Sequence, residues 1–290
     1  MTIVRISSRH WLLFGALTLL WGTSFLNISV SLRSFTPEQI VAWRLILAAL
    51  VLLLLLLYQR KRLPLSIKDW AKFSLFACLG NLLPYWFITN GQQTVTSGMA
   101  GLLMAVMPLT TMILSHWFIA GERLNSKRIA GFLMGTLGVT FVLWPSLVKG
   151  SHSHFGAVII LLAACIYAVN TVLIRLYSHY DTSVVSSGVM ICAAMLGVII
   201  WPQMWAVQWQ QVSTLSLLSL IWLGLMPTAI ASVIYFVLVK QAGTHFVSNN
   251  NYIIPVIAYI TGALILGESV VWSDFAALAF ILAGIAISRR

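Results

Sequence analysis

The sequence predicts an all-α integral membrane protein in which ten transmembrane helices form two inverted five-helix repeats. Of the 290 residues, 60% are hydrophobic and only 8% are charged, whereas typical soluble domains carry about 25% charged residues. Apolar runs of about 20 residues, the length that crosses a bilayer, recur along the whole chain. The third observation is an internal repeat, which concerns the arrangement of these helices.

The repeat occupies residues 96–138 and 247–284. Each copy consists of two apolar helices joined by a short turn, with a proline inside the first helix, a Gly-Glu pair at its end and a glycine in the second helix. These positions are Pro108, Gly121-Glu122 and Gly138 in one copy and Pro255, Gly267-Glu268 and Gly284 in the other. Because a repeat of this length defines the architecture of a chain, we divide the sequence into a first repeat, 1–147, and a second repeat, 148–290.

Ten spans are predicted, joined by very short connections. They cover residues 10–31, 37–58, 68–90, 97–119, 127–145, 154–177, 183–205, 214–239, 247–266 and 272–288. When the N-terminus is placed in the cytoplasm, nearly all of the 17 lysines and arginines lie on the cytoplasmic side of the membrane. Only Arg33 and Lys149 lie on the outer side, and Arg44 lies within a span. This bias predicts that both termini are cytoplasmic. Since each repeat holds an odd number of helices, the second repeat enters the membrane from the opposite side.

Several other classes of protein are disfavoured. The net charge of +11 does not indicate nucleic-acid binding, because the cations lie in short loops at helix ends. Cys78, Cys165 and Cys192 lie within apolar runs without metal-ligand spacing and are expected to be small buried residues. The sequence has no His-Glu-x-x-His motif, no paired midplane carboxylates and no Ser/His pairing, which argues against an intramembrane enzyme. We therefore expect no catalytic residues, no cofactor and no metal.

Inverted repeats are typical of alternating-access transporters. The sequence further carries Trp21-Gly22-Thr23-Ser24-Phe25 in span 1, Pro37 and Arg44 in span 2, and both Pro…Gly-Glu…Gly units. With these motifs it resembles the drug/metabolite transporter superfamily, in its ten-helix EamA-type branch, over essentially the whole chain. The resemblance implies a central cavity lined mainly by spans 1, 3, 4, 6, 8 and 9. It also implies transport of small metabolites, often the export of amino acids or related compounds.

Candidate cavity residues are the polar and aromatic side chains within the spans, since polar groups in a bilayer are costly and mark a path or a structural bond. Arg44 could bind a substrate carboxylate or serve as a structural cation for helix-end carbonyls or Glu38, and the structural role is favoured. The other candidates are Trp21, Ser24, Asn27, Asn81, Tyr85, Tyr167, Asn170, Ser232, Tyr235, Asn250 and Tyr252. For each of them the alternative is a hydrogen bond or packing contact between helices.

Two prolines and two glutamates are given structural or gating roles. Pro108 and Pro255 are expected to kink spans 4 and 9 and so to shape the cavity. Glu122 and Glu268 lie at helix ends and are expected to anchor the start of the next helix.

These features predict a secondary transporter that moves small metabolites, with amino acids as the first candidates, across the cytoplasmic (inner) membrane by alternating access, in the direction of export. Uptake or exchange of a larger metabolite, or drug efflux, stays open as an alternative. No Asp or Glu lies near the midplane of any predicted span, which favours a facilitator or exchanger over a proton-coupled pump. The expected partners are a small-molecule substrate and the lipid bilayer, without nucleic acid, and we expect a monomer.

Overall fold

The computed structural model describes residues 7–119, 121, 124–149, 153–177, 181–269 and 272–288. These residues form helices and short connections, with no β-strand among them. The long helical segments, numbered in chain order, are α1, Ser8–Ser31; α2, Pro37–Tyr58; α3, Ile67–Gly91; α4, Ser97–Phe118; α5, Ser126–Lys149; α6, Ser153–Tyr177; α7, Thr182–Ile200; α8, Thr214–Ala242; α9, Asn250–Leu266; and α10, Trp272–Ser288.

Seven of these segments (α1 to α4 and α6 to α8) are long and apolar enough to cross a bilayer, and α9 and α10 contain shorter apolar stretches. Large apolar side chains are also exposed on the outside of the bundle, for example Leu12, Leu54 and Leu264. Such a surface suits contact with lipid tails rather than water. The predicted all-α, ten-helix membrane fold is confirmed.

Local sequence explains where individual helices begin and end. Pro37 occupies the first turn of α2, and Thr36 caps it by accepting a hydrogen bond from the Gln39 backbone N–H at 3.4 Å, as expected for a capped N-terminus. The predicted seventh span continues to residue 205, but α7 ends at Ile200 and a 3₁₀ turn follows at Pro202–Trp205. Pro202 disfavours helical geometry in the residue before it, which accounts for the earlier end.

Several spans are interrupted within the bundle. α1 breaks at Thr23, and α4 breaks after Met104 and resumes at Met107, one residue before Pro108. α9 continues through Pro255 as one helix.

The other interruptions are two π-helical segments, Cys78–Leu82 in α3 and Gly224–Ile230 in α8. π turns are rare and often occur at functional sites. The segment in α8 contains Pro227, and Pro84 lies two residues after the end of the segment in α3.

The helix contacts follow a two-fold pattern. α5 packs on α10, α2 on α7, and α4 on α9, so three helices of the first five contact their counterparts in the second five. Several other contacts come in matching pairs: α3 with α6 and α8 with α1, α4 with α6 and α9 with α1, and α3 with α7 and α8 with α2. Two related halves would produce this pattern. The inverted orientation of the second repeat stays a prediction.

Candidate functional site

The candidate site is built around Arg44, a buried cation on α2 with only 5% of its surface exposed. Its Nε donates a hydrogen bond to the Thr228 hydroxyl at 2.6 Å. The guanidinium carbon lies 3.9 Å from the centre of the Tyr85 ring, a distance at which the ring face attracts a cation. The Tyr85 ring in turn meets the Tyr167 ring edge to face, with centroids 6.5 Å apart. Residues from α2, α3, α6 and α8 therefore converge at one place.

The π segment of α8 positions the partner of Arg44. The Thr228 hydroxyl donates to the Leu223 carbonyl, five residues earlier, at 2.7 Å. The same oxygen accepts the Arg44 N–H, so the hydroxyl is used both as donor and as acceptor. The neighbouring Pro227 carbonyl accepts a hydrogen bond from the Trp21 indole at 3.1 Å. The irregular turn therefore presents one side chain and one backbone oxygen to two different helices.

Arg44 does not have the partner that the structural interpretation predicted. Glu38 instead accepts a hydrogen bond from the Trp86 indole at 3.0 Å. Ion pairs within the described residues join Lys61 to Asp181 and Lys72 to Asp69, and neither involves Arg44. The terminal nitrogens of Arg44 make no hydrogen bond to any part of the chain that the structure describes. The expected pairing of Arg44 with Glu38 or with helix-end carbonyls is therefore wrong. The groups that contact the guanidinium are the Thr228 hydroxyl and the face of the Tyr85 ring.

A second aromatic pair lies next to this cluster. The Trp21 ring on α1 packs against the Tyr235 ring on α8 with centroids 5.7 Å apart. Since Trp21 also binds the Pro227 carbonyl, the residue before the Thr228 that holds Arg44, the two clusters adjoin. The structure thus brings five sequence candidates together: Arg44, Tyr85, Tyr167, Trp21 and Tyr235.

The predicted asparagines lie at contacts between helices. Asn170 on α6 packs so closely on Gly80, within the π segment of α3, that a Cβ at Gly80 would overlap its amide. The Asn250 amide oxygen accepts a hydrogen bond from Thr18 on α1. The Asn170 amide oxygen and the Asn250 amide nitrogen are buried without a hydrogen-bond partner among the described residues. Asn81 is half-buried and forms no hydrogen bond that the described chain shows.

Three further candidates bond within their own helix. The Ser24 hydroxyl donates to the Trp21 carbonyl at 2.6 Å, the Asn27 amide to the Thr23 carbonyl at 2.9 Å, and the Ser232 hydroxyl to the Thr228 carbonyl at 2.5 Å. Such bonds satisfy the donor locally, so these residues contribute less to the cluster than was expected. The Tyr252 side chain and the whole of Glu122 lie outside the described residues.

Glu268 has a structural contact, but on a different helix from the one predicted. Its two carboxylate oxygens accept hydrogen bonds from the backbone N–H groups of Ser97 at 2.7 Å and Gly98 at 3.0 Å, the first turn of α4. The chain reverses at Gly267, whose φ of 67° is left-handed and suits glycine. The carboxylate thereby reaches the positive N-terminus of α4 instead of anchoring the start of α10.

Thr228, the hydrogen-bond partner of Arg44, is not among the cavity residues predicted from the sequence. The sequence does indicate this position, because Thr228 directly follows Pro227 inside an apolar span. Proline has no backbone N–H and therefore disturbs the helix there. Gly80 is a second omission. Its importance depends on the close approach of Asn170, and nothing in the local sequence indicates that contact.

A bundle of membrane-crossing helices that encloses a cation and aromatic rings defines a polytopic membrane protein with an internal polar site. Comparison with known proteins refines this class. The EamA-like transporter family model matches residues 9–144 and again residues 154–290, so the chain belongs to the EamA-like transporter family. This confirms the resemblance found in the sequence, and the protein is a membrane transporter.

Individual relatives agree with this assignment. A WAT1-related chloroplastic protein of Arabidopsis thaliana is 26% identical over 86% of this chain, which covers 62% of that relative. The uncharacterized transporter YoaV of Bacillus subtilis is 25% identical over 88% of each chain. A solved crystal structure superposes with a TM-score of 0.69 over 97% of both chains at 22% identity, which shows that the fold is shared.

Proposed function

We propose that this transporter carries small metabolites that bear a carboxylate, with amino acids and related compounds as the first candidates. The observation that supports the proposal is Arg44, a buried cation without a carboxylate partner in the described chain. An unpaired buried charge is costly. Arginine binds carboxylates through two parallel N–H bonds, and a substrate acid would supply the missing charge.

The surroundings of Arg44 suit such a ligand. A guanidinium held over the face of Tyr85 keeps its in-plane N–H groups available, because the ring attracts it through its face. Nε is already bonded to Thr228, which leaves the terminal nitrogens for a substrate. Tyr167, Trp21 and Tyr235 would then form an aromatic wall for the uncharged part of the molecule.

The transport mechanism proposed is alternating access, in which the two halves rock around this site in the cytoplasmic membrane. The matched helix contacts support it, because two related halves can exchange conformations. In this proposal the N- and C-termini are cytoplasmic, the carrier acts as a monomer and the physiological direction is export. A cationic drug is a poor ligand, since its charge has the same sign as that of Arg44.

The proposal is tested by counterflow in liposomes that contain the purified protein, preloaded with pooled unlabelled amino acids and without an ion gradient. Entry of a labelled amino acid above that in empty liposomes is the expected result. Arg44→Lys should reduce counterflow of the acid about tenfold or more and affect its amide analogue much less. Arg33→Lys, at an exposed arginine between α1 and α2, is the matched control and should leave both rates unchanged.

Two results would contradict the proposal. Equal loss of acid and amide in Arg44→Lys would assign the arginine a structural role only. No counterflow of any amino acid by well-folded protein would favour the alternative substrates, a larger metabolite or a drug.

A further inference from the structure

A cavity of about 470 Å³ opens between α2, α7 and α8, away from the cluster around Arg44. It lies at the end of these helices where Lys61 follows α2, Asp181 precedes α7 and Lys240 lies in the last turn of α8. Lysine and arginine bias predicts that this end is cytoplasmic. The cavity has an apolar inner part and a polar rim.

Two helices contribute matching stripes to its walls. α2 presents Leu52, Leu55, Leu56 and Gln59, and α8 presents Val233, Phe236, Val237 and Lys240. Both sets have the spacing of a single helix face. Each stripe is apolar over its first three positions and polar at the fourth, so the cavity changes from apolar to polar along the membrane normal.

This cavity is separate from the transport site. Tyr235, which contacts Trp21, is about 100° around α8 from Phe236 and is not part of the lining. The α2 wall joins the surface that carries Leu54 and Leu57, whose exposed fractions are 66% and 61%. The apolar wall is therefore continuous with the surface that faces lipid tails.

Of the two lysines that line the rim, one is paired with a carboxylate and the other is not. Lys61 Nζ lies 2.7 Å from the Asp181 carboxylate and 3.4 Å from the Ser183 hydroxyl. The hydrogen bond from Lys61, and after it the one that the Ser183 backbone N–H donates at 2.9 Å, lower the pKa of Asp181, so the carboxylate is ionised at neutral pH and cancels the charge of Lys61. Lys240 forms no ion pair with any described residue and is exposed. The rim thus keeps one uncompensated positive charge beside hydroxyl and amide groups.

We propose that this cavity binds an anionic phospholipid of the cytoplasmic leaflet, with its phosphate at Lys240 and an acyl chain along the stripes of α2 and α8. Basic pockets between transmembrane helices on the cytoplasmic side suit anionic headgroups. Gln59 and Gln241, also at the rim, supply N–H donors for the phosphate oxygens. The bound lipid fills the gap between α2 and α8 and joins them to α7.

The test counts lipids bound to the intact protein by native mass spectrometry from detergent micelles. Phosphatidylglycerol and phosphatidylcholine of identical acyl chains are titrated separately, and inorganic phosphate is added in a third series. The first phosphatidylglycerol should bind at least fivefold more tightly than phosphatidylcholine, and Lys240→Gln should remove about fivefold of this affinity. Lys240→Arg should retain it.

A matched control and a second variant separate this site from general surface charge. Lys72→Gln removes a lysine on the same predicted side, outside the cavity and close to Asp69, and should not alter binding. Val233→Trp fills the apolar part and should weaken phosphatidylglycerol binding while Lys240 is intact.

Equal affinity for the two lipids, or equal loss in Lys240→Gln and Lys72→Gln, would overturn the proposal. Displacement of phosphatidylglycerol by millimolar phosphate would also overturn it, because the site would then bind a free anion without an acyl chain.

Discussion

Replacement of Glu268 should lower the free energy of unfolding by an amount that its two hydrogen bonds determine. The carboxylate accepts from the N–H groups of Ser97 and Gly98, and both residues are buried. A hydrogen bond to a charged group contributes about 1.5 kcal/mol or more, so Glu268→Ala should cost about 3 kcal/mol. Glu268→Gln keeps one acceptor but loses the charge at the helix N-terminus, and about 1.5 kcal/mol is expected.

The measurement is equilibrium unfolding in mixed micelles, followed with a thiol-reactive dye. Cys78, Cys165 and Cys192 are free and at least partly buried, so they react as the bundle opens. Glu38→Gln is the matched control, since its carboxylate accepts one hydrogen bond from the Trp86 indole, and a loss of about 1 kcal/mol is expected. If the free energy of unfolding of Glu268→Ala lies within about 0.5 kcal/mol of the wild-type value, the two hydrogen bonds of the carboxylate contribute little to stability, which would refute the prediction.

Two further predictions concern stability. The hydrogen bonds that lower the pKa of Asp181 stabilise the fold above the unfolded pKa of about 3.9 and lose this effect as the pH falls through the folded value. Lys61→Gln should therefore be less stable than the wild type at pH 7, and this difference should shrink as the pH falls below about 3.9; a difference that stays constant in acid would contradict this. Gly101→Ala should cost about 1–3 kcal/mol, because a Cβ there overlaps Ala258 on α9. Gly15→Ala, with open space around it, should stabilise by about 0.5–1 kcal/mol; thermal unfolding that ranks these two variants the other way would refute the packing argument.

Much of the fold could be predicted because membrane helices are specified by local composition. Apolar runs of the right length mark the spans, and in a bilayer every backbone group must be bonded within the segment. Helix ends were less predictable where an apolar run continued beyond a break, as it does between Ile200 and Trp205.

The candidate site was only partly predictable from sequence. Arg44, Tyr85 and Tyr167 stand out as polar or aromatic residues within apolar spans, and the structure brings them together. Which hydroxyl holds Arg44 depends on the π turn of α8, a backbone irregularity that periodicity does not indicate. The helix that Glu268 caps likewise depends on how distant spans pack.

The π segment of α3 divides that helix into two parts whose rotational phases are offset from that of a regular α-helix. In the first part, the Phe73 ring packs on Gly188 of α7. In the second part, the Tyr85 ring contacts the Arg44 guanidinium. Because a π turn takes up one residue more than an α turn, loss of one codon within Cys78–Leu82 would close the segment to regular α-helix, which would shift the tyrosine ring relative to the guanidinium without altering the packing of the first part. Insertions and deletions of single residues, and not substitutions alone, are therefore a route by which the site can be given a different shape.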